Sequence, residues 1–592
     1  MKKSLLIILL SLLTSYSFCQ DFSDYDSRVK NILDNNLQDC QYLIVTPNDS
    51  GIQQWADTLA KFRNEQGIST KVISLSDIGD NIPLTLRNYF KEFYNSRQLS
   101  ETLSAILLFG DYNLDDTKGI CSFYLNDHPD GYSYLADNKL VDFNNDDIPE
   151  MCIARIPAAN AQQAELMVMK TLRYERKPST NPNYYHRPVT AMGFEESRWF
   201  QLCSEVIAGY FESIGKNPNR LNAIYSGTPD SVWSTGDNTS LIIKYFGSKG
   251  LNYIPDNLKH ITFWTADQND LSKAINEGTF LIQHRDHGQH QAWKNPYFSN
   301  KEINDLKNED LTFIMSANCQ TGNFHYGDGD NDCFAERFLR TENGAVAVIA
   351  ASQISYSYVN DTYVWGFYDY LWNDFMPDYG NNDIDFKYPA FANVYGKYFL
   401  SQSSWPYLSI HKNVTYNLFH YFGDAFLQLN TEMPEEIEIS YPKEILTDCS
   451  SFSIKKDNTT RVAFSVNGEI IATSFGKDSI INIKPFYKEG KIKVVATKQN
   501  HYRHEGYIYV KSHLDIEDIN IYPNPTKDIL FVESHGIKKI KIYNTLGQML
   551  IEINNDASNE KLRIDCGTLQ KGIFHLQIIY EDKRVVKSFV RF

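Results

Sequence analysis

Tyr42-Leu-Ile-Val-Thr-Pro47 is a short apolar, β-branched stretch that a proline stops, and it predicts a buried strand. A helix is expected next, because Trp55, Leu59 and Phe62 recur at the spacing of one helical face. Thr70-Lys-Val-Ile-Ser-Leu75 then predicts a second strand. This order of strand, helix and strand favours parallel pairing with a right-handed crossover.

The same alternation continues for several hundred residues. Further strands are predicted near 104–109, 151–155, 189–192, 279–283, 311–315 and 344–350, and further helices over 84–93, 161–176 and 200–214. The pattern predicts one α/β unit from about residue 40 to about 430, a mostly parallel sheet flanked by helices. Ligands of such sheets bind beyond the carboxyl ends of the strands.

After residue 433 the pattern changes to short alternating stretches. Asn467-Gly468 lies between two of them and is a strong hairpin signal. The stretches predict a small immunoglobulin-like β-sandwich over 433–512. A second all-β domain is expected over 513–592, with its own hairpin near Leu546-Gly547.

The amino terminus has the features of a signal peptide over 1–19. Lys2 and Lys3 precede an apolar run that is too short to span a bilayer. A lipid-anchored Cys19 is the alternative. No later segment is long and apolar enough to cross a membrane. Because of the signal peptide, the mature protein is expected to leave the cytoplasm.

Size and charge narrow the class of protein further. The 592 residues exceed what one hydrophobic core usually serves, so several domains are expected. Lys and Arg number 57 against 73 Asp and Glu, a formal net charge of −16. No basic run interrupts this acidic balance, which argues against nucleic acid as a partner.

Two predicted strands each lead into a residue that can do chemistry. Phe280-Leu-Ile-Gln-His-Arg-Asp-His287 ends in a histidine followed by Gly288, and Phe313-Ile-Met-Ser-Ala-Asn-Cys319 ends in a cysteine. Nucleophilic catalysis needs a thiol, a proton carrier and backbone N–H groups for an oxyanion. Gly288 allows a backbone N–H to approach a substrate carbonyl.

Other interpretations of these residues stay open. Cys319 can be a buried core thiol, and His287-Gly288 can be an ordinary turn. His284, His287 and His290 recur every three residues and can form a metal cluster. The metal cluster is disfavoured, because the segment is predicted as strand and loop and not as a helix that presents one face.

Taken together, the motifs resemble the gingipain family of cysteine peptidases, whose catalytic domain has the caspase and legumain architecture. The matching segments are 42–47, 107–111, 153–157, 287–288, 292–293, 317–322, 333–336, 344–347 and 422–424. Ala154 replaces the glycine that is usual in the third of them. The resemblance implies a peptidase domain over 20–432, with α/β subdomains of about 40–155 and 156–432.

The resemblance also implies roles for single residues. Cys319 would be the nucleophile, His287 its acid/base partner, and Gly288 part of the oxyanion hole. Glu195 would orient the histidine, with Glu196 as the adjacent alternative. An exposed acid at a helix start is the structural interpretation of Glu195. The implied activity is that of a secreted cysteine endopeptidase, acting through a Cys-His dyad and an acyl-enzyme.

Specificity departs from the pattern of the family. The positions that carry an acid in arginine- and lysine-specific members fall near Phe200 and near Ile354-Ser355, and neither is acidic. An apolar or small P1 residue is therefore expected, with Glu205 and Asp361 as possible replacements for the missing acid. Two other functions are considered: a catalytically degenerate surface adhesin or binding protein, and a processing peptidase for exported proteins.

Two acidic loops suggest metal sites. Alternating oxygen ligands on a loop suit calcium, and the resemblance supports structural calcium, although catalysis needs no cofactor. A solvated polar turn is the alternative for each loop. The candidate ligands are Asp142, Asn144 and Asp146 in the first loop, and Asp328, Asp330 and Asp332 in the second.

The carboxyl terminus resembles the sorting domain of the type IX secretion system. The matching segments are Ile521–Pro525, Tyr543–Gly547, Leu569–Leu576 and 587–592. This resemblance implies the secretion machinery as a partner, in addition to protein or peptide substrates. It places the protein outside a Gram-negative-type cell, either secreted or attached to the outer-membrane surface.

Overall fold

The structure, a computed structural model, describes residues 40–592 except 97–102, 231, 326–330, 380–384, 406–408, 487, 513–518, 558 and 582–583. The predicted signal peptide over 1–19, with the lipid-anchor alternative at Cys19, lies outside the described residues. Within the described part of the chain, no helix has the length and apolar character needed to cross a membrane.

The chain divides into two compact units. The first holds residues up to Pro442 together with Ser450–Lys484 and Ile492–Ile508, and the second holds Lys443–Cys449, Pro485–Lys491 and Tyr509–Phe592. The domain boundaries at 432 and 512, and the subdomain boundary near residue 155, stay predictions.

A ten-stranded sheet forms the centre of the first unit. The strands of this region, in chain order, are β1 (Tyr42–Thr46), β2 (Thr70–Ser74), β3 (Ala105–Phe109), β4 (Phe123–Leu125), β5 (Tyr134–Ala136), β6 (Cys152–Ile156), β7 (Val189–Glu195), β8 (Asn219–Ser226), β9 (Leu281–Arg285), β10 (Gly288–Gln289), β11 (Ala292–Trp293), β12 (Phe298–Ser299), β13 (Thr312–Ala317), β14 (Ala345–Ala351) and β15 (Phe419–Phe422). The sheet has the order β2-β1-β3-β6-β15-β14-β13-β9-β7-β8.

Most neighbours in this sheet run parallel, as the alternation of strands and helices predicted. β1, β2, β3 and β6 pair in parallel, and so do β14, β13, β9, β7 and β8. β15 lies between these two groups and runs antiparallel to β14. All seven residues of β14 are buried, as expected for a strand covered on both faces.

Helices flank the sheet. They are α1 (Ser50–Glu65), α2 (Leu75–Ile78), α3 (Pro83–Ser96), α4 (Ala161–Arg176), α5 (Pro182–His186), α6 (Phe200–Ser213), α7 (Thr239–Phe246), α8 (Gln268–Glu277), α9 (Asn300–Asn304), α10 (Phe334–Arg340), α11 (Val359–Leu371), α12 (Pro389–Gln402) and α13 (Ser409–Leu418), with 3-10 turns at Asp137–Leu140 and Leu258–His260. The Asp49 side chain caps α1 by accepting a hydrogen bond from the Ile52 N–H.

The strand expected over 279–283 is displaced by two residues toward His287. The Phe280 N–H donates to the Tyr184 carbonyl at 3.0 Å, and the Thr279 hydroxyl donates to the Arg187 carbonyl. These bonds fix the first residues of the apolar run to α5 and to Arg187, the residue that follows α5. The Phe280 carbonyl accepts from the Phe313 N–H at 3.0 Å, and the paired residues of β9 begin at Leu281.

The rest of the chain is all β. Its strands are β16 (Glu444–Leu446), β17 (Ser451–Ser453), β18 (Arg461–Val466), β19 (Glu469–Ser474), β20 (Ile480–Asn482), β21 (Gly490–Thr497), β22 (His504–Lys511), β23 (Asn520–Tyr522), β24 (Ile529–Glu533), β25 (Lys539–Asn544), β26 (Met549–Asn554), β27 (Lys561–Asp565), β28 (Gly572–Ile579) and β29 (Arg584–Arg591). The hairpin at Asn467-Gly468 is confirmed, since both residues have positive φ between β18 and β19.

Within the first unit, the β strands pack against α1. The Lys493 ammonium lies 2.6 Å from the Glu65 carboxylate, and the Arg503 guanidinium lies over the Phe62 ring at 4.3 Å from its centroid. A Cβ atom at Gly67, which follows α1 with φ +82°, would lie 3.0 Å from the Thr473 side chain. A side chain at this position would meet both the backbone strain and the neighbouring strand.

The second unit has a core of its own. Two antiparallel sheets contribute to it, β23-β24-β27 and β26-β25-β28-β29. Alternate residues of these strands point inward, among them the fully buried Leu530, Ile542, Ile564, Leu576 and Phe589. The predicted hairpin near Leu546-Gly547 is confirmed between β25 and β26.

Candidate active site

Cys319 and His287 lie just beyond the ends of neighbouring strands. β9 pairs with β13 in parallel, and the last pair in register joins Arg285 to Ala317. Each candidate residue therefore follows the same rung by two positions. Neighbouring strands are about 4.8 Å apart, so both residues follow the sheet at the same carboxyl edge, on adjacent strands.

Gly288 brings the histidine segment against the cysteine segment. A Cβ atom at this position would lie 2.5 Å from Asn318 Oδ1 and 2.6 Å from the Cys319 carbonyl oxygen. These distances are shorter than ordinary contacts, so glycine is required for the approach. The backbone after His287 therefore packs directly on the backbone of Cys319.

Glu195, the last residue of β7, contacts the imidazole. The Nε2 of His287 donates to Glu195 Oε2 at 2.8 Å, which leaves Nδ1 as the ring nitrogen that can exchange a proton. The rings of Phe200 and Tyr225 lie 5.3 and 4.3 Å from the imidazole, measured between centroids. The alternative acid, Glu196, is exposed.

Burial sets the charge state of the site. It lowers the pKa of His287, and the hydrogen bond and charge of Glu195 oppose that effect. Burial also raises the pKa of the Cys319 thiol. Both effects favour a neutral imidazole and a protonated thiol, and the Cys319 Sγ donates to the Ser355 carbonyl at 3.5 Å.

The residue before the cysteine is fixed by a buried network. Asn318 Nδ2 donates to His284 Nδ1 at 2.9 Å, and the other ring nitrogen of His284 donates to the Asn295 carbonyl at 3.2 Å. The His284 ring stacks on Trp293, and burial lowers its pKa to about 3. Since both nitrogens of His284 are bound within the protein, this histidine is not available for the metal cluster considered with His287 and His290.

The two acids considered as specificity determinants are already paired. Glu205 is buried and lies 3.0 Å from Arg220. Asp361 is buried and lies 2.5 Å from Arg285, whose guanidinium also donates to the Ala317 carbonyl. Neither carboxylate is left to bind the cation of a basic substrate.

A cavity of about 310 Å³ is lined in part by the segment that follows Ser355. Its walls are mostly aromatic, and Asp237 is the one acid among its described lining residues. Ser357 lies in the wall two residues after Ser355, whose N–H is 3.4 Å from the Cys319 sulfur. The lining residues are Trp199, Asp237, Ser357, Tyr358, Val359, Trp405 and His411.

The first acidic loop brings three carboxylates together. Oxygens of Asp142, Asp146 and Glu150 lie within 4.8 Å of one another and can hold a metal ion. However, the Lys139 ammonium already contacts Asp142 at 2.7 Å. Asn144 Nδ2 donates to Asp146 Oδ2 at 3.1 Å, and Asn144 Oδ1 accepts from the Asp146 N–H at 3.0 Å, so both ends of this amide are bound within the loop.

The second acidic loop is described only at its end. Asp332 lies 2.5 Å from Arg340 and 3.2 Å from Arg337, so its charge is balanced by side chains of α10. Asp328 and Asp330 lie outside the described residues.

The sequence pattern missed several residues around the site. Ser355, which touches the sulfur, follows β14 in a loop without periodicity. The Arg285–Asp361 ion pair joins residues that are 76 positions apart, so no local sequence pattern predicts it. Arg285, a basic residue inside an apolar strand that leads to the candidate histidine, is a signal that could have indicated a buried partner.

Comparisons with known proteins identify the families that this chain resembles. The model of peptidase family C25 matches residues 35–430, and that of the secretion system C-terminal sorting domain matches residues 520–591. Lys-gingipain W83 of Porphyromonas gingivalis is 25% identical over 383 residues, which cover 60% of this chain and 19% of the relative. Gingipain R2 of the same organism is 22% identical over 437 residues, covering 72% of this chain and 51% of the relative.

The chain therefore spans about half or less of the length of these curated relatives. Among solved structures, the crystal structure of the Arg-specific cysteine proteinase gingipain R covers 80% of this chain and 98% of its own. The TM-score is 0.62 at 17% identity, a similarity of fold. Because the family model covers well over half of the sequence, this chain belongs to peptidase family C25, the gingipain family of cysteine peptidases, and carries a carboxyl-terminal secretion sorting domain.

Proposed function

We propose that this chain is an exported cysteine endopeptidase that works through Cys319 and His287. The observation that carries the proposal is their common position, two residues beyond the Arg285–Ala317 rung of adjacent parallel strands. The 2.8 Å bond from His287 to Glu195 supports it, because a carboxylate on one ring nitrogen orients the other for proton transfer.

In the first half of the reaction, His287 Nδ1 takes the thiol proton as the Cys319 sulfur attacks the peptide carbonyl. The carbonyl oxygen gains negative charge, and the N–H groups of Gly288 and Cys319 stabilise it. His287 then gives its proton to the leaving amine nitrogen as the C–N bond breaks. The products are a free amine and a thioester on Cys319.

In the second half, water attacks the thioester carbonyl while His287 accepts one of its protons. The C–S bond breaks and the sulfur recovers a proton from His287. A carboxylic acid leaves, and the resting thiol and imidazole are restored. Glu195 stabilises the imidazolium that forms transiently in both halves.

Replacing the nucleophile tests the proposal. Cys319→Ala should abolish cleavage of a fluorogenic peptide library and leave the melting temperature within a few degrees of the wild type. Cys449→Ala is the matched control, because Cys449 is also a partly exposed cysteine. The control should cleave at the wild-type rate. Full hydrolysis by the Cys319 variant would sink the proposal.

We infer that the P1 side chain is apolar. The supporting observations are the aromatic walls of the 310 Å³ cavity and the pairing of Glu205 and Asp361 with basic residues. Products of the same peptide library should carry aromatic or aliphatic residues at the new carboxyl termini. Dominant cleavage after lysine or arginine, abolished by Asp237→Asn, would contradict this inference.

We propose a structural calcium site at Asp142, Asp146 and Glu150. Burial and the two neighbouring carboxylates raise the pKa of Glu150, so a cation would relieve their repulsion. A calcium ion must compete with the Lys139 ammonium. Lys139→Met should therefore increase the rise in melting temperature that calcium produces. No rise in the wild type or in the variant would exclude the site.

A further inference from the structure

Three polar atoms of one residue surround the proposed nucleophile. The Ser355 N–H lies 3.4 Å from the Cys319 sulfur, the Ser355 hydroxyl oxygen lies 4.0 Å away, and the Ser355 carbonyl oxygen lies 3.5 Å away. Cys319 lies two residues after β13, and Ser355 lies four residues after β14, the strand paired with β13.

These atoms favour different forms of the sulfur. A thiol can donate its proton to the Ser355 carbonyl. A thiolate has no proton and needs donors, which are the Ser355 N–H and O–H. Burial disfavours the charged sulfur, and the two Ser355 donors oppose that effect by lowering the pKa of Cys319. The same residue can therefore follow the sulfur through ionisation.

Asn360 controls the direction of the serine hydroxyl. Its Nδ2 donates to Ser355 Oγ at 2.7 Å, and its side chain is buried in the first turn of α11. A hydroxyl oxygen that accepts this bond must direct its own proton elsewhere. The hydroxyl can then donate its hydrogen bond to the Cys319 sulfur.

The segment that carries both residues is anchored to the strand of the candidate histidine. Asp361 Oδ2 accepts from the Tyr358 N–H at 2.6 Å, and Asp361 Oδ1 accepts from Arg285 at 2.5 Å. Arg285 ends β9, two residues before His287. The position of the Ser355 donors is thus coupled to the strand that positions the imidazole.

We propose that Ser355 is a further catalytic residue, whose N–H and hydroxyl stabilise the Cys319 thiolate, and that Asn360 is a positioning residue for that hydroxyl. The proposal rests on the function proposed for Cys319. It adds a thiolate-stabilising role, separate from the oxyanion hole, to a residue of the loop after β14.

The test measures the ionisation of the sulfur directly. Iodoacetamide reacts with thiolates, so the pH dependence of Cys319 alkylation, followed by mass spectrometry of the intact protein and its Cys319 peptide, reports the midpoint of ionisation. Ser355→Ala should raise this midpoint by about one pH unit, the effect of losing one hydrogen bond to a charged group. Ser355→Thr keeps a hydroxyl and should restore most of the shift.

Asn360→Asp tests the positioning role while the serine stays in place. The new carboxylate accepts a hydrogen bond from the Ser355 hydroxyl, which then no longer donates to the sulfur. The midpoint of Cys319 ionisation should therefore rise as in Ser355→Ala. Ser352→Ala is the matched control, because the buried Ser352 hydroxyl donates to the Leu135 carbonyl, away from the sulfur. Its midpoint should equal that of the wild type.

The outcomes separate the two proposals. An unchanged midpoint in a folded Ser355→Ala variant overturns the catalytic role, and an unchanged midpoint in Asn360→Asp overturns the positioning role. An equal shift in Ser352→Ala also overturns the proposal, since it would indicate general loosening of the segment. Alkylation does not require turnover, so these results hold even if Cys319→Ala shows that another residue performs the hydrolysis.

Discussion

The imidazole of His287 is held on three sides, by the carboxylate of Glu195 and the rings of Phe200 and Tyr225. These contacts restrict the ring to one plane and give Glu195 a single nitrogen to bind. Proton transfer depends on such orientation more than on the mere presence of a base.

Glu195→Gln tests this orientation. We expect kcat/KM to fall about 100-fold, within the usual contribution of a positioned acid-base group. The acid limb of the pH profile, where His287 must be unprotonated, should lie below pH 6.5, because burial lowers the pKa of His287. Glu195 opposes that shift, so the limb of the variant should move to still lower pH.

The exposed neighbour supplies the control. Glu196→Gln should keep both the wild-type rate and the wild-type profile. A loss of activity in Glu196→Gln and not in Glu195→Gln would reverse the assignment of the orienting acid.

Gly288 gives a second test at this scale. In Gly288→Ala, the added Cβ would meet Asn318 Oδ1 and the Cys319 carbonyl, and the histidine segment must move away. We expect a loss of kcat/KM of at least about 100-fold, since small displacements of reacting groups have effects of this size. Gly490→Ala, at a glycine with open space around it, should leave activity unchanged.

The strand ends that carry Cys319 and His287 are predictable from sequence, because an apolar run that stops at a reactive residue is a local signal. Their position beyond the same pair of residues, Arg285 and Ala317, is not predictable from sequence. The register depends on pairing between segments that are 32 residues apart. The contact of Ser355 with Cys319 is not predictable for the same reason, because the two residues are distant in sequence and meet only in the folded chain.

Among the elements, α1 is joined to the sheet by a buried ion network. Arg63 lies 2.5 Å from Asp424, which follows β15, and 2.7 Å from Glu175 in α4. The Tyr42 hydroxyl also donates to Asp424, so β1 is part of the same network. Breaking such a network leaves buried charges without compensation.

Arg63→Leu should therefore destabilise the first unit by about 3 to 5 kcal/mol. Urea unfolding, followed by tryptophan fluorescence, measures the change. Gln54→Ala, an exposed position on the same helix, should stay within about 0.5 kcal/mol of the wild type. A loss of under 1 kcal/mol in Arg63→Leu would mean that the network does not stabilise the fold.

The parallel strands were predictable as elements, since β1 and β3 are short apolar runs between helical patterns. The insertion of β15 at the centre of the sheet was not. Phe419–Phe422 is only four residues long and follows α13 directly. Such a short run gives no periodicity, and its antiparallel pairing with β14 arises from tertiary packing.

On the scale of the whole molecule, the second unit has an independent core and matches the sorting domain over 520–591. The sorting domain implies export by type IX secretion. The candidate active-site residues Glu195, His287, Cys319 and Ser355 all belong to the first unit. Catalysis and export should therefore be separable in the same chain.

Truncation after Lys511, the end of β22, tests this separation in a type IX secreting host. We expect the shortened protein to accumulate in the periplasm and to cleave peptides when the cells are fractionated. The full chain with Leu550→Ala, an exposed residue of β26 outside the four sequence motifs of the sorting domain, is the control and should reach the medium or the surface. Export of the truncated chain at the wild-type level would contradict the role of the sorting domain.

The contact of Lys493 and Arg503 with α1 has a practical consequence for maturation studies. Glu436 and Glu438 are exposed in the segment between the α/β region and the strands that carry these two residues. Proteolytic cleavage there would leave the two fragments associated, because Glu65 and Phe62 of the first fragment contact Lys493 and Arg503 of the second. Such a cut would leave the elution volume on a sizing column unchanged, and only a denaturing gel would reveal two bands.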